Sequence, residues 1–178
     1  MEFRVGEKVV YPNHGVGIIE QVTSRSVNGI PEEFYMLRIH ANSSLVMVPT
    51  ANVKSVGMRK IIRKVDCEGL FKLLEEDFFE PASDWKGRYK QNLDKMKSGR
   101  LQDIADVLKT LNYISARKTL SFREKKMYER ARYLIISEIA VINGMDEGDV
   151  ERQVDRALAK SAQMRNAQIR TPELRASH

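Results

Sequence analysis

Catalysis needs nucleophiles, proton donors or metal ligands, and this sequence offers few. Among its 178 residues the imidazoles are His14, His40 and His178, and the only thiol is Cys67. No two histidines stand four apart, as a zinc-binding helix requires, and no Gly-Lys-Ser/Thr phosphate loop is present. Gly15-Val16-Gly17 lacks a third glycine and leads into a β-rich run rather than a helix, so it does not indicate a dinucleotide site. His14, between Asn13 and Gly15, reads as a turn residue. Cys67 near a helix start could carry a lowered pKa, but no partner accompanies it and it reads as structural. One cysteine also excludes an internal disulfide and a Cys-based zinc site, and fits a reducing compartment, here the cytoplasm. The expectation is a non-enzymatic protein with no catalytic residue, metal or cofactor.

Cations are the chemistry the chain does supply. Lys and Arg number 30 against 24 Asp and Glu, for a net charge of +6. The excess is local: residues 86 to 132 hold 14 basic and 5 acidic side chains, a net +9. Residues 1 to 62, by contrast, hold 7 basic and 5 acidic. On a helix starting near Trp85, Lys86, Lys90 and Lys97 fall within about 40° of one another at about 100° per residue, beside an apolar stripe of Tyr89, Leu93 and Met96. After Ser121, Arg123, Lys126 and Arg130 form a second stripe, with Lys125 and Arg132 adjacent. Such rows suit phosphates, because each bound cation releases condensed counterions whatever the base sequence; solvated helix faces are the plain alternative. The lone Trp85 stands just before the first stripe, either as a core residue or as an aromatic able to stack on a base or wedge into an opened step. Spacing does not choose between these roles.

The elements that must position these side chains follow from periodicity. Up to Ile62 the chain is rich in Val, Ile and Gly, with β-rich runs at Lys8 to Tyr11, Val16 to Val27, Glu33 to His40, Leu45 to Val48 and Val53 to Val56. Turn residues separate them, and Asn28-Gly29 is a hairpin signal because both tolerate positive φ. Five short strands in about 60 residues predict a small barrel. The run Phe34 to Ile39 is apolar on both alternating faces, more than a one-sided sheet needs, so one face has room for a partner.

Beyond residue 62 the spacing becomes helical. Asp66 could cap a helix to about Asp77, and Ser83 or Asp84 one that ends near Ser98-Gly99. Leu101, Ile104, Ala105, Leu108, Leu111 and Ile114 make a buried stripe. Ser121-x-x-Glu124 is a capping box opening a helix that Gly144 stops, and Asp146 opens a last helix to about Lys160. The expected organisation is α+β in two domains, residues 1–62 as the barrel and 63–160 as an all-α unit, with 161–178 a flexible tail. The first twenty residues do not resemble a signal peptide, and the longest apolar run, near Tyr133 to Ile142, falls short of the roughly 20 residues a membrane helix needs.

Several motifs together resemble the CarD/CdnL family of transcription regulators. They are Phe3-x-Val5-Gly6-x-x-Val9-Val10-Tyr11-Pro12-x-His14-Gly15, the strand residues Tyr35, Leu37 and Ile39, Val46-x-Val48-Pro49 and Val56-Gly57-x-Arg59. Trp85-x-x-Arg88-Tyr89-Lys90-x-Asn92-Leu93 and Leu120-Ser121-x-x-Glu124-Lys125 look like that family's helical half. The resemblance covers about residues 1 to 160. It implies a Tudor-like or SH3-like barrel that binds the β subunit of bacterial RNA polymerase through an edge strand, here Leu45, Val46, Met47 and Val48, with Arg25 at a polymerase-contact position. Met47 stands where some members carry a basic residue, so its contact is read as apolar. The resemblance also implies a helical domain on promoter DNA at the upstream edge of the transcription bubble. There Trp85 would act as the wedge, Lys90 and Lys125 as backbone contacts, and Arg88 and Lys126 as neighbours of those motif positions. Gly87 departs from members with larger or charged residues at this point. The implied function is a regulator that stabilises the open promoter complex; the alternative is a sequence-independent architectural DNA-binding protein that acts without polymerase. Neither a membrane nor a small-molecule substrate is expected as a partner.

Overall fold

The computed structural model describes residues 2–76 and 84–175, without the side chains of Trp85 and residues 165–175. Five antiparallel strands come first: β1 (Lys8–Tyr11), β2 (Gly15–Val27), β3 (Ile30–Ile39), β4 (Leu45–Pro49) and β5 (Arg59–Lys60), in the sheet order β4-β3-β2-β1-β5. The β2–β3 hairpin turns at Asn28 and Gly29, both at positive φ (53° and 81°), the conformation that lets a two-residue turn follow the strand twist. Alternate residues of these strands, Val9, Ile19, Tyr35, Leu37, Ile39 and Val48, meet Phe3, Val53 and Met58 in a small core. There the Tyr35 hydroxyl accepts a hydrogen bond from the Phe3 amide at 3.0 Å.

The fifth strand differs from the expectation. Val53 to Val56 is not a strand: a short 3-10 turn at Thr50–Asn52 leads through turns, and the pairing with β1 falls to Arg59 and Lys60. Val53 is buried because the turn folds it into the core, so its apolar character reports burial and not a strand.

Five helices follow: α1 (Lys64–Glu75), α2 (Trp85–Ser98), α3 (Leu101–Ser115), α4 (Phe122–Asn143) and α5 (Glu147–Arg175). Arg63, not Asp66, stands at the start of α1, and Asp66 lies in its first turn, held by the Arg63 guanidinium. Gly99 and Gly144 end α2 and α4 in the left-handed region. Every residue of the predicted α3 stripe, from Leu101 to Ile114, is buried against α1, α4 and α5. α5 continues past Lys160, where falling apolar content predicted its end. Lys160 pairs with Glu75 and Ser161 donates to the Glu76 carbonyl, so polar ties to the end of α1 hold the helix at this point. Ser83, Asp77, Pro81 and the last three residues of the proposed tail lie outside the described residues.

One ion pair, buried on its carboxylate side, joins sheet to helices. Arg59 on β5 grips Glu138 on α4 with two bonds (2.7 and 2.8 Å) and donates to the Gly99 carbonyl at 2.9 Å, while the Ile62 amide donates to the same carboxylate at 2.9 Å. Glu138 is 2% exposed. Close by, the start of β2 packs on α4, with Gly15 against Tyr133 and Leu134. No described helix is long and apolar enough to cross a membrane.

Candidate functional site

The sheet has two edges, and they are treated differently. β5 is the edge whose Arg59 reaches into the helices, whereas β4 pairs with β3 alone among the described strands. An unpaired edge is a template for an added strand. Along β4 the pleat turns Leu45 (44% exposed) and Met47 (36%) outward and Val48 into the core, with Val46 half-buried. Across from them on the same face, Met36 opposes Met47 and Arg38 opposes Leu45; the Arg38 guanidinium is neutralised by Glu20 through two 2.9 Å bonds. The outer face of this edge therefore carries Leu45, Met36 and Met47 beside the exposed, paired side chains of Arg38 and Glu20. Val48, expected among the contact residues, can offer a partner only its backbone, because period-two alternation buries its side chain. Arg25 is exposed on β2 opposite Glu32, on the hairpin beyond the end of β4.

The basic side chains stand along two helices, from the first turn of α2 to its last and over the first turns of α4. Asp84 caps α2 by accepting from the amides of Lys86 (3.1 Å) and Gly87 (3.0 Å). Lys86, Lys90 and Lys97 lie on its exposed side, while Asn92 and Met96 are buried. On α4 the predicted capping box is present: the Ser121 hydroxyl accepts from the Glu124 amide, and Glu124 accepts from the Ser121 amide at 3.0 Å. The flanking Arg123, Lys125 and Lys126 are exposed, and Arg130 is half-buried with its guanidinium 5.2 Å from the Tyr133 ring centre.

Arg88 corrects the sequence reading. It is only 7% exposed and its Nη2 lies 3.4 Å from Glu124 Oε1, so it faces inward and acts as a strut between the first turns of α2 and α4, not as a phosphate contact. Burial raises the Glu124 carboxyl, but the Ser121 hydrogen bonds and then Arg88 outweigh it and hold the group below the usual carboxylate range. Arg132, adjacent to the second stripe in sequence, turns instead to Glu151 (3.0 Å) and Asp155 (2.8 Å) on α5. The backbone of Trp85 stands at the first position of α2, one residue after the cap, and its side chain lies outside the described residues.

The residues set aside as structural behave so. Cys67 is buried and desolvation pushes its thiol up. His14 stacks on Tyr11 at 4.9 Å in a turn flanked by Asn13 and Gly15 at positive φ. Sequence reasoning missed two features. Phe122, 72% exposed at the start of α4, was visible as an apolar residue with charged neighbours inside a capping box. Glu138 was visible as an acid inside the longest apolar run, a position that demands a partner.

Fold and surface define an architecture: a small sheet, open along one edge, fixed to a helical unit that carries rows of exposed cations. Residues 3–62 match the CarD-like/TRCF RID domain, and residues 69–155 match the CarD C-terminal domain. YdeB of Bacillus subtilis (strain 168), whose name proposes a transcription-factor role, is 32% identical over 149 residues, covering 84% of this chain and 97% of its own. The solution structure of the 72-residue N-terminal domain of Myxococcus xanthus CarD is similar at 36% identity over 33% of this chain and 79% of that one, with a TM-score of 0.30. The chain belongs to the CarD family of transcription regulators.

Proposed function

We propose that the protein docks on the β subunit of bacterial RNA polymerase through the β4 edge, using Leu45, Met47, the backbone of Val46 and Val48, and Arg25. In the same complex its helical half holds promoter DNA at the upstream edge of the bubble. Lys86, Lys90, Lys97, Arg123, Lys125, Lys126 and Arg130 bind phosphates, and Trp85 supports the separated junction. A binder shifts an equilibrium only by its differential affinity for the two states, and a wedge that meets its site only in opened DNA supplies that difference. The observation that carries the reading is the division of the sheet edges: β5 is fastened to the basic helices by Arg59 and Glu138, which leaves β4 as the edge for a partner. Family membership supports the polymerase as that partner.

Co-purification with core polymerase, followed by open-complex dissociation, tests it. Arg25→Glu and Met47→Glu are expected to lose retention on the polymerase. Trp85→Ala is expected to be retained while the open complex decays faster. Full retention of both edge variants sinks the docking edge. Tight binding to bare duplex with indifference to polymerase would instead favour an architectural DNA-binding protein.

A further inference from the structure

Phe122 is the most exposed large apolar side chain among the described residues, at 72%, and belongs to neither core cluster. The helix start does not need it, since Ser121 and Glu124 satisfy the capping box on their own. Helical spacing sets it, with Lys125 and Lys126, on the side of α4 away from the buried Glu124, Met127 and Ala131. The Lys126 ammonium lies 4.6 Å from the centre of its ring, and Arg123 and Lys125 are exposed on the same turn. Arg88 and Glu124 tie that turn to the start of α2, where Lys86 is exposed.

An exposed ring with a cation over one face and further cations beside it complements a ligand that offers a flat apolar face to the other side of the ring and flanking anions to the cations. A nucleotide whose base is out of its stack has both, whereas a base inside a duplex shows only its edge. We infer that Phe122 is a nucleobase-stacking residue that engages DNA where paired strands give way to unpaired ones. The inference rests on the nucleic-acid reading of the surface and adds to it a second aromatic on a different helix from Trp85.

The test uses the full chain with two oligonucleotides, a fork junction carrying 2-aminopurine at its first unpaired position and the matched duplex. Binding is followed by anisotropy and by 2-aminopurine emission. Phe122→Ala is expected to weaken fork binding by about tenfold while changing duplex binding by less than about twofold, with loss of the emission change, and Phe122→Trp to restore both. Circular dichroism checks that each variant keeps its fold. Unchanged fork affinity in Phe122→Ala, an equal loss on both DNAs, or failure of Phe122→Trp to restore binding overturns the inference. So does a concentration-dependent dimer that Phe122→Ala dissolves with fork affinity intact, which would assign the ring to self-association. If Trp85→Ala abolishes the fork preference and Phe122→Ala keeps it, this inference alone falls. If the unaltered chain prefers neither DNA, the nucleic-acid reading falls with it.

Discussion

The β4 edge and the basic helices come to expose their outward side chains by opposite means. On the edge, the pleat decides: Met47 and Leu45 stand out and Val48 is buried because successive side chains alternate, and β4 pairs with β3 alone among the described strands. On the helices, pairing decides. Of the cations between residues 86 and 132, Arg88, Lys95, Arg100 and Arg132 are drawn into carboxylates, while Lys90, Lys97, Arg123 and Lys125 project from exposed helix faces. Shape therefore selects what the sheet edge exposes and charge partnership selects what the helices expose.

The sharpest way to break the comparison is to cut the bond between the halves. Glu138→Ala leaves the Arg59 guanidinium and the Ile62 amide without their carboxylate, and is expected to cost about 3–5 kcal/mol in urea unfolding. A double replacement of Arg59 and Glu138 by leucine should recover much of that loss, since two apolar groups leave no orphaned charge. If Glu138→Ala unfolds like the unaltered chain, the halves are not coupled through this pair. On the helices, Arg88→Ala is expected to cost about 2–3 kcal/mol through loss of the strut to Glu124. Lys90→Ala should leave stability within about 0.5 kcal/mol and lower the salt dependence of DNA binding by about one unit of slope. Equal stability losses in the two variants would erase the distinction between strut and contact. The edge gives the matching pair: Val48→Ala is expected to cost about 2 kcal/mol by opening the core. Met47→Ala should unfold nearly normally yet release the polymerase in a pull-down.

How far the sequence exposes this arrangement depends on the range of the interactions. The strands from Lys8 to Pro49, the Asn28-Gly29 turn, the Ser121-Glu124 box and the Gly99 and Gly144 stops are local, set by residues a few positions apart, and were legible. β5 was not, because a two-residue strand has no periodicity and Val53 is apolar for a tertiary reason. The inward turn of Arg88 was hidden for the same cause: its partner Glu124 is 36 residues away, and a stripe of cations looks alike whether or not a carboxylate from another helix meets one of them. The exposed positions of Lys90, Lys97 and Lys125 were legible because helical spacing alone sets the face on which they stand.

The smallest expected effect, in acid, contrasts two carboxylates that are both held below their usual range. Burial works against the charged form of Glu124, and the Ser121 hydrogen bonds and Arg88 more than offset it; Glu20 is lowered chiefly by its hydrogen bond to Arg38 on an open face. A carboxylate whose folded pKa lies below its unfolded one adds stability that is complete above the unfolded pKa and is lost as pH falls through the folded value. Solvent and salt screen the Glu20 pair, so Glu20→Gln should leave the acid limb of the stability curve unchanged at moderate salt. Glu124→Gln should flatten that limb, because a buried carboxylate titrates there together with the contacts that join α2 to α4. Urea midpoints followed from neutral to acid pH separate the two. A limb as steep in Glu124→Gln as in the unaltered chain would mean that the strut draws nothing from the ionised carboxylate, and that Arg88 holds the first turns of α2 and α4 together by packing alone.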